Sequence, residues 1–288
     1  MPLLWLAAPP KIFRSVPIED IDLASWATTL LMVRKSKSAL KAMHRGELKE
    51  YMETKKSVLL GTTLWPPNCN ERAFYRNFEE YILFKLSSGA DWVITHTLPV
   101  FDDDSDGTEK AKIRMNMKII SEYIRLRDRY ELDVGLIAVP YARSWELYLC
   151  QVKMLAELGV DAIGVSVASW IEKRGGLPSR SSGLKNAIFL FLRSLKERTY
   201  KRIIVLGSQE PNLARRLYWG ARILTFEGSF IVMRSFPSFN RMPLMLEVHN
   251  GKAIWVPVLT SKNIPEANPR FLLRYNIKKW INYVLLGL

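Results

Sequence analysis

Cysteine is scarce in this chain. Of 288 residues only Cys69 and Cys150 carry a thiol, and neither belongs to a CxxC pair. A zinc site built on several thiolates is therefore excluded within one chain, and no metal is expected. A disulfide is not suggested, and idle thiols in a reducing, cytoplasmic setting are the expectation. No run approaches about 18 consecutive apolar residues, so neither a transmembrane helix nor a membrane partner is expected. The opening MPLLWLAAPPKIF lacks a basic flank ahead of its short apolar stretch and reads as a first strand rather than a signal peptide. No Gly-rich GxGxxG turn occurs, which argues against a dinucleotide-binding open sheet, and no cofactor is expected.

What is present is an ordinary globular balance, 48% hydrophobic and 24% charged, with a net charge of +14. The excess is local. Trp170 to Arg222 holds twelve Lys/Arg against three Glu, and Ser261 to Leu288 holds five against one. Positive charge clustered in this way is the footprint of a protein that meets phosphates, and nucleic acid is the expected partner.

Eight short apolar or β-branched runs recur along the chain: 3–9, 28–34, 57–63, 92–98, 134–140, 162–168, 202–208 and 222–228. Most lack polar alternation, as strands buried on both faces do. Helical spacings fill the intervals. In the third, Phe74, Phe78, Tyr81, Ile82 and Leu86 share a face, and Gly89 follows as a C-terminal cap. Ser144 is a candidate N-cap, Gly159 a stop, and Pro211 a first-turn proline. The pattern predicts an α/β protein, a (β/α)8 TIM barrel over residues 1–229. A short C-terminal extension, 230–288, is predicted to add a hairpin turning at Asn250-Gly251 and a closing helix packed on the barrel. In that helix Leu273, Ile277, Trp280, Ile281 and Val284 form an apolar face, and Arg270, Arg274 and Lys278 a basic stripe.

Barrel chemistry sits at the C-terminal ends of the strands. That end receives the acidic run Asp102, Asp103, Asp104 and Asp106, as well as His96 and Glu227. Adjacent acids repel one another and prefer water, so the run reads first as a solvated helix start. Glu227, at the tip of the eighth strand in an apolar context, is the leading candidate for acid–base or nucleophilic work, with Asp102 and His96 as its candidate helpers. Candidate phosphate contacts are Arg174 and Arg180 on a Gly/Ser-rich loop, Arg215 and Arg216 on a short helix, and the stripe Arg270, Arg274 and Lys278.

Several stretches resemble the barrel of tRNA-guanine transglycosylases and their relatives that place 7-deazaguanines in tRNA or DNA. They are VPIEDIDLASWATTLLM, RGELKEYMETKKSVLLG, LAELGVDAIGVS and VLGSQEPNLARRLYWGARILTFEGS, spread over roughly residues 1–230. The resemblance implies a glycosyltransferase of the base-exchange type, but the family's working residues are not in place. Its Asp-Ser-Gly-Gly after strand three is Gly61-Thr62-Thr63-Leu64 here, and its acid after strand four is replaced by Thr95-His96-Thr97. Its base-reading Gln-Gly is Val139-Pro140, and its nucleophilic Asp corresponds to Thr225 or, two residues on, to Glu227. The zinc-binding cysteines are missing. The resemblance therefore implies either a tRNA- or DNA-binding relative that is non-catalytic or depends on a catalytic partner subunit or a homodimer, or a divergent enzyme that recruits Glu227 and Asp102. The alternative expectation is an independent barrel enzyme on a small molecule, using Glu227, His96 and Asp102.

Overall fold

Eight parallel strands close into a barrel in the order of the chain, with helices between them. The computed structural model describes residues 2–61, 78–101, 103–167, 182–236, 242–258 and 268–288. The strands are β1 (Leu4–Ala7), β2 (Ala24–Thr29), β3 (Val58–Gly61), β4 (Trp92–Ile94), β5 (Gly135–Ala138), β6 (Ala162–Ser166), β7 (Arg202–Leu206) and β8 (Thr225–Gly228). Seven coincide with the runs read from the sequence. The second does not: the strand comprises Ala24–Thr29, and Leu30–Arg34 of the predicted run is a helical turn, α2, after α1 (Pro10–Ser15). Thr29 makes the switch, its hydroxyl accepting the Met32 N–H at 3.3 Å as an N-cap.

By its packing the chain falls into two compact units. The first comprises Met1–Ala27, Ser166–Arg198 and Ile204–Leu288. Its helices are α8 (Ser182–Glu197), α9 (Pro211–Ala221), α10 (Phe230–Ser235) and α11 (Pro269–Leu286). Helix α11 buries all five predicted apolar residues, with Trp280 fully covered. Truncating such a side chain to Ala typically costs about 3–5 kcal/mol. The hairpin is β9 (Leu244–His249) and β10 (Lys252–Pro257), and Asn250 and Gly251 both take positive φ (49° and 70°), as a type I′ turn requires.

The hairpin is fixed by two asparagines. Asn212 of α9 accepts the Ala253 N–H at 3.0 Å and donates to the Ala253 carbonyl at 2.9 Å. Asn276 of α11 accepts from Leu246 N–H and donates to the Leu244 carbonyl, at 2.8 and 2.9 Å. Each side-chain amide thus pairs with a strand edge as another strand's backbone would.

The second unit comprises Thr28–Val165 and Thr199–Ile203. It holds α3 (Lys37–His44), α4 (Leu48–Tyr51), α5 (Phe78–Leu86), α6 (Asp106–Arg129) and α7 (Trp145–Leu158). Here the same amide device anchors the segments that follow two strands: Asn116 pairs with Leu98, and Gln151 with Tyr141. At the opposite strand ends, aspartates set the register. Asp91 accepts the Val58 N–H at 2.7 Å and Asp161 the Leu136 N–H at 2.8 Å. Lys49 and Arg127 neutralise them. Both acids border a cavity of about 580 Å³. Helix α7 starts at the Ser144 cap and stops at Gly159, whose φ is +93°, as its sequence predicts.

Candidate active site

The acid singled out at the strand tip faces the side on which barrel chemistry occurs. Phe226 packs its ring edge-on against Trp280 of α11, with centroids 5.7 Å apart. Side chains alternate along a strand, so Thr225 and Glu227 project from the other face of β8, away from the helix. Register extends that row. Glu227 lies opposite Trp5 of β1, and Trp5 lies opposite Ser25 of β2. A carboxyl, an indole and a hydroxyl residue therefore share one level of the inner face. One level higher on β1 and β2 the paired residues are Ala7 and Ala27.

Glu227 is held from β7. Gly207, in the left-handed region at φ +79°, aims its N–H at both the Glu227 carbonyl (3.0 Å) and Oε2 (3.1 Å). Solvent reaches part of the residue, yet protein crowds the carboxyl group. Burial pushes its pKa from 4.5 up to about 7, against the opposing pull of the Gly207 N–H. A carboxyl in that range is divided between acid and base near neutral pH, the condition for proton transfer. Thr225, deeper on the same face and 2% exposed, has no such chemistry. The two-residue step from Thr225 to Glu227 keeps the side chain on the same face of the strand and brings it to the rim.

The neighbouring Gln209 and Glu210 are structural. Gln209 donates to the Trp5 carbonyl at 2.9 Å and accepts the Ile231 N–H at 3.1 Å, while its own carbonyl accepts the Trp280 indole N–H. Gly228 makes room for it: a Cβ there would lie 3.3 Å from Gln209 Cγ. Glu210 caps α9, its Oε2 accepting the Leu213 N–H at 2.6 Å.

His96 lies in the second unit just beyond β4. It is 7% exposed and stands edge-on to Tyr81 of α5, with centroids 6.2 Å apart. Asp102 lies outside the described residues. Of the acids after it, Asp106 opens α6 at the expected helix start, while Asp103 and Asp104 precede its N-cap. Ser105 caps the helix on Thr108 N–H. Asp104 accepts the Phe101 N–H and binds Lys112 at 2.7 Å. Burial works against the ionised form of Asp104, but the Lys112 bond and the Phe101 N–H outweigh it and hold its pKa low. Arg143 bonds both Asp106 and the buried Glu109, the latter at 2.9 Å. Asp104, Asp106 and Glu109 are thus committed to the fold. Among the described residues no three His, Cys, Asp or Glu side chains converge as metal ligands.

The candidate phosphate contacts divide. Arg174 and Arg180 lie outside the described residues. Arg215 lays its guanidinium 5.1 Å from the Tyr283 ring centre and against Gly287, at the C-terminal end of α11. Arg216 lies 4.3 Å over the Phe189 ring and is exposed. Arg274 and Lys278 share Asp20, at 2.7 and 3.2 Å, and Arg274 also bonds the Pro17 carbonyl. Arg270 is exposed.

One group escaped sequence reasoning. Lys85 of α5 is fully buried, its Nζ 2.7 Å from the Ile94 carbonyl at the end of β4. Its spacing from Tyr81 and Ile82, four and three residues, places it on the helix's apolar face, and that spacing is the signal available in the sequence. No family model matches this chain, and no curated protein matches it.

Proposed function

We propose that this barrel is an enzyme acting on a glycosidic bond, with Glu227 as its general acid–base. The observation that carries the reading is the placement of Glu227: the inner face of β8, at the C-terminal tip, with a pKa near 7. Cleaving or exchanging a glycosidic bond needs a carboxyl that is still protonated near neutrality to release the leaving group. Glu227 meets that need. It is less suited to be a standing nucleophile, which must be ionised. The role differs from that of the aspartate in the transglycosylases the chain resembles, although the side chain leaves the same face of the strand.

The substrate follows from charge. The basic segments favour a polyanion such as tRNA or DNA, and Arg270, in one of them, is exposed. The reading in which the chain is a catalytically silent, nucleic-acid-binding subunit of 7-deazaguanine modification keeps one observation in its favour. Gly61 and the stretch Thr95-His96-Thr97 stand where the resembled family carries acids, so a partner subunit would have to supply the chemistry.

The deciding experiment incubates the purified chain with labelled guanine or a 7-deazaguanine and with bulk tRNA or duplex DNA, beside nucleoside and glycoside substrates. Turnover that peaks near pH 7 and disappears in Glu227→Gln supports the enzyme. Binding of nucleic acid with no turnover, unaffected by Glu227→Gln, transfers the function to the silent-subunit reading.

A further inference from the structure

We propose that α5 is a proton-coupled latch: it closes onto β4 by burying Lys85 as a neutral amine, and it opens by taking the proton back. The geometry of the amine's surroundings carries the inference. Lys85 is 0% exposed, yet among the described residues the Ile94 carbonyl is the one hydrogen-bond acceptor it meets, at 2.7 Å. An ammonium has three N–H donors and a charge to neutralise. From α5 itself the facing titratable group is Tyr81, whose ring centre lies 6.0 Å from Nζ. From α6 it is Tyr123, at 5.8 Å. From the segment after β4 it is His96, edge-on to Tyr81. The acids Glu79 of α5 and Glu122 of α6 bond Arg125 at the surface, and among the described residues no carboxylate pairs with Lys85.

Two aromatic rings at about 6 Å attract a cation weakly compared with the hydration it gives up. The closed state therefore holds the amine, in keeping with a pKa lowered by burial from 10.5 to about 7. Once α5 lifts, Nζ meets water and regains its ordinary basicity. Closing then expels one proton at any pH between those two values, so the balance between closed and open follows pH directly. Because Lys85 holds the carbonyl of the last residue of β4, opening also frees the backbone that leads into Thr95 and His96.

The experiment is hydrogen exchange of the α5 amides, Tyr81 to Leu86, in the full chain between pH 6 and 9, corrected for intrinsic exchange rates. Opening is expected to rise about tenfold per pH unit from pH 9 down to 7 and to level off below 7. In Lys85→Met the profile should be flat, and in His96→Gln it should stay as in the wild type. A flat wild-type profile overturns the latch. So does a slope that survives Lys85→Met, or one lost in His96→Gln, which would give the proton to the imidazole. A direct check needs no variant: one lysine ¹³Cε resonance should titrate near pH 7. If every lysine titrates above pH 9, the proposal is wrong.

Discussion

Each of the two units encloses an ionisable side chain that burial brings close to neutrality, and they do so with opposite chemistry. In the first unit it is an acid raised to about 7, in the second a base lowered to about 7. Their surroundings differ in kind. Glu227 has a backbone donor, Gly207 N–H, aimed at its charged form, and solvent touches the residue. Among the described residues Lys85 has one carbonyl and two rings, and no solvent reaches it. A group with a donor and an opening can change charge in place, whereas a sealed group must leave its site to do so. The same preference for the neutral form therefore fits the reactive position proposed in one unit and the mechanical one proposed in the other.

The comparison sharpens most on Lys85. Its folded pKa lies below its unfolded value, so the unfolded chain binds the extra proton between about 7 and 10.5. Stability should be fully present above pH 10.5, fall as pH drops toward 7, and level off below. Across that window the contribution is on the order of 3–5 kcal/mol. Denaturant unfolding of wild type and Lys85→Met at pH 7 and pH 9.5 measures it, and the variant should be the more stable of the two at pH 7. A wild-type minus variant difference that stays constant with pH would mean that Lys85 keeps its proton in the fold.

Next in size is Asn276→Ala. It strips partners from Leu246 N–H, the Leu244 carbonyl and Ser235 together, with Leu246, Ser235 and Asn276 itself buried. About 2–3 kcal/mol should be lost, read as a fall in Tm. Asn116→Ala, which unpairs Leu98 in the other unit, tests whether the same device has equal weight there.

Glu227→Gln comes third. A raised carboxyl favours the fold while it is protonated, so its stability contribution is present below pH 4.5 and lost as pH rises to about 7. The variant should match the wild type near pH 4 and exceed it by about 1–2 kcal/mol at pH 8, the figure reduced because water reaches the residue. Equal stabilities at both pH values would mean that Glu227 ionises as a surface acid does, and it would lose its claim to proton transfer. The smallest effect concerns Asp20. If Arg274 and Lys278 contact phosphate, Asp20→Ala frees them and should tighten tRNA binding about two- to threefold at low salt. Unchanged affinity removes the α11 stripe from any nucleic-acid surface.

Barrel strands, caps and the hairpin turn were legible because each rests on local chemistry: apolar runs, Ser144, Gly159, Asn250-Gly251. The slip at β2 has a physical cause. Its strand, ASWATT, is mostly small residues, and Ser25 lies opposite the bulky Trp5. Small beside large fills a barrel, but it leaves the sequence without the apolar run that marks a strand. The greasier LLMVR that follows drew the reading four residues on. Glu227 could be picked out because strand position alone exposes it. Gln209 and Glu210, equally well placed in the sequence, turned out to be bonded into the fold at several points. Lys85 was not legible because a lysine on a helix is ordinarily read as solvent-facing, and its burial depends on α6, which is remote in the chain.

The amides of Asn212 and Asn276 carry one further consequence. A two-stranded ribbon ordinarily offers its outer N–H and C=O groups to any other extended chain, the route by which proteins stick to one another. Here both outer edges are occupied partway along by side chains from the protein's own helices. The ribbon is thereby kept to its own molecule. Without either asparagine, the first symptom to expect in a concentrated solution is self-association through the bared edge, well before the barrel itself gives way.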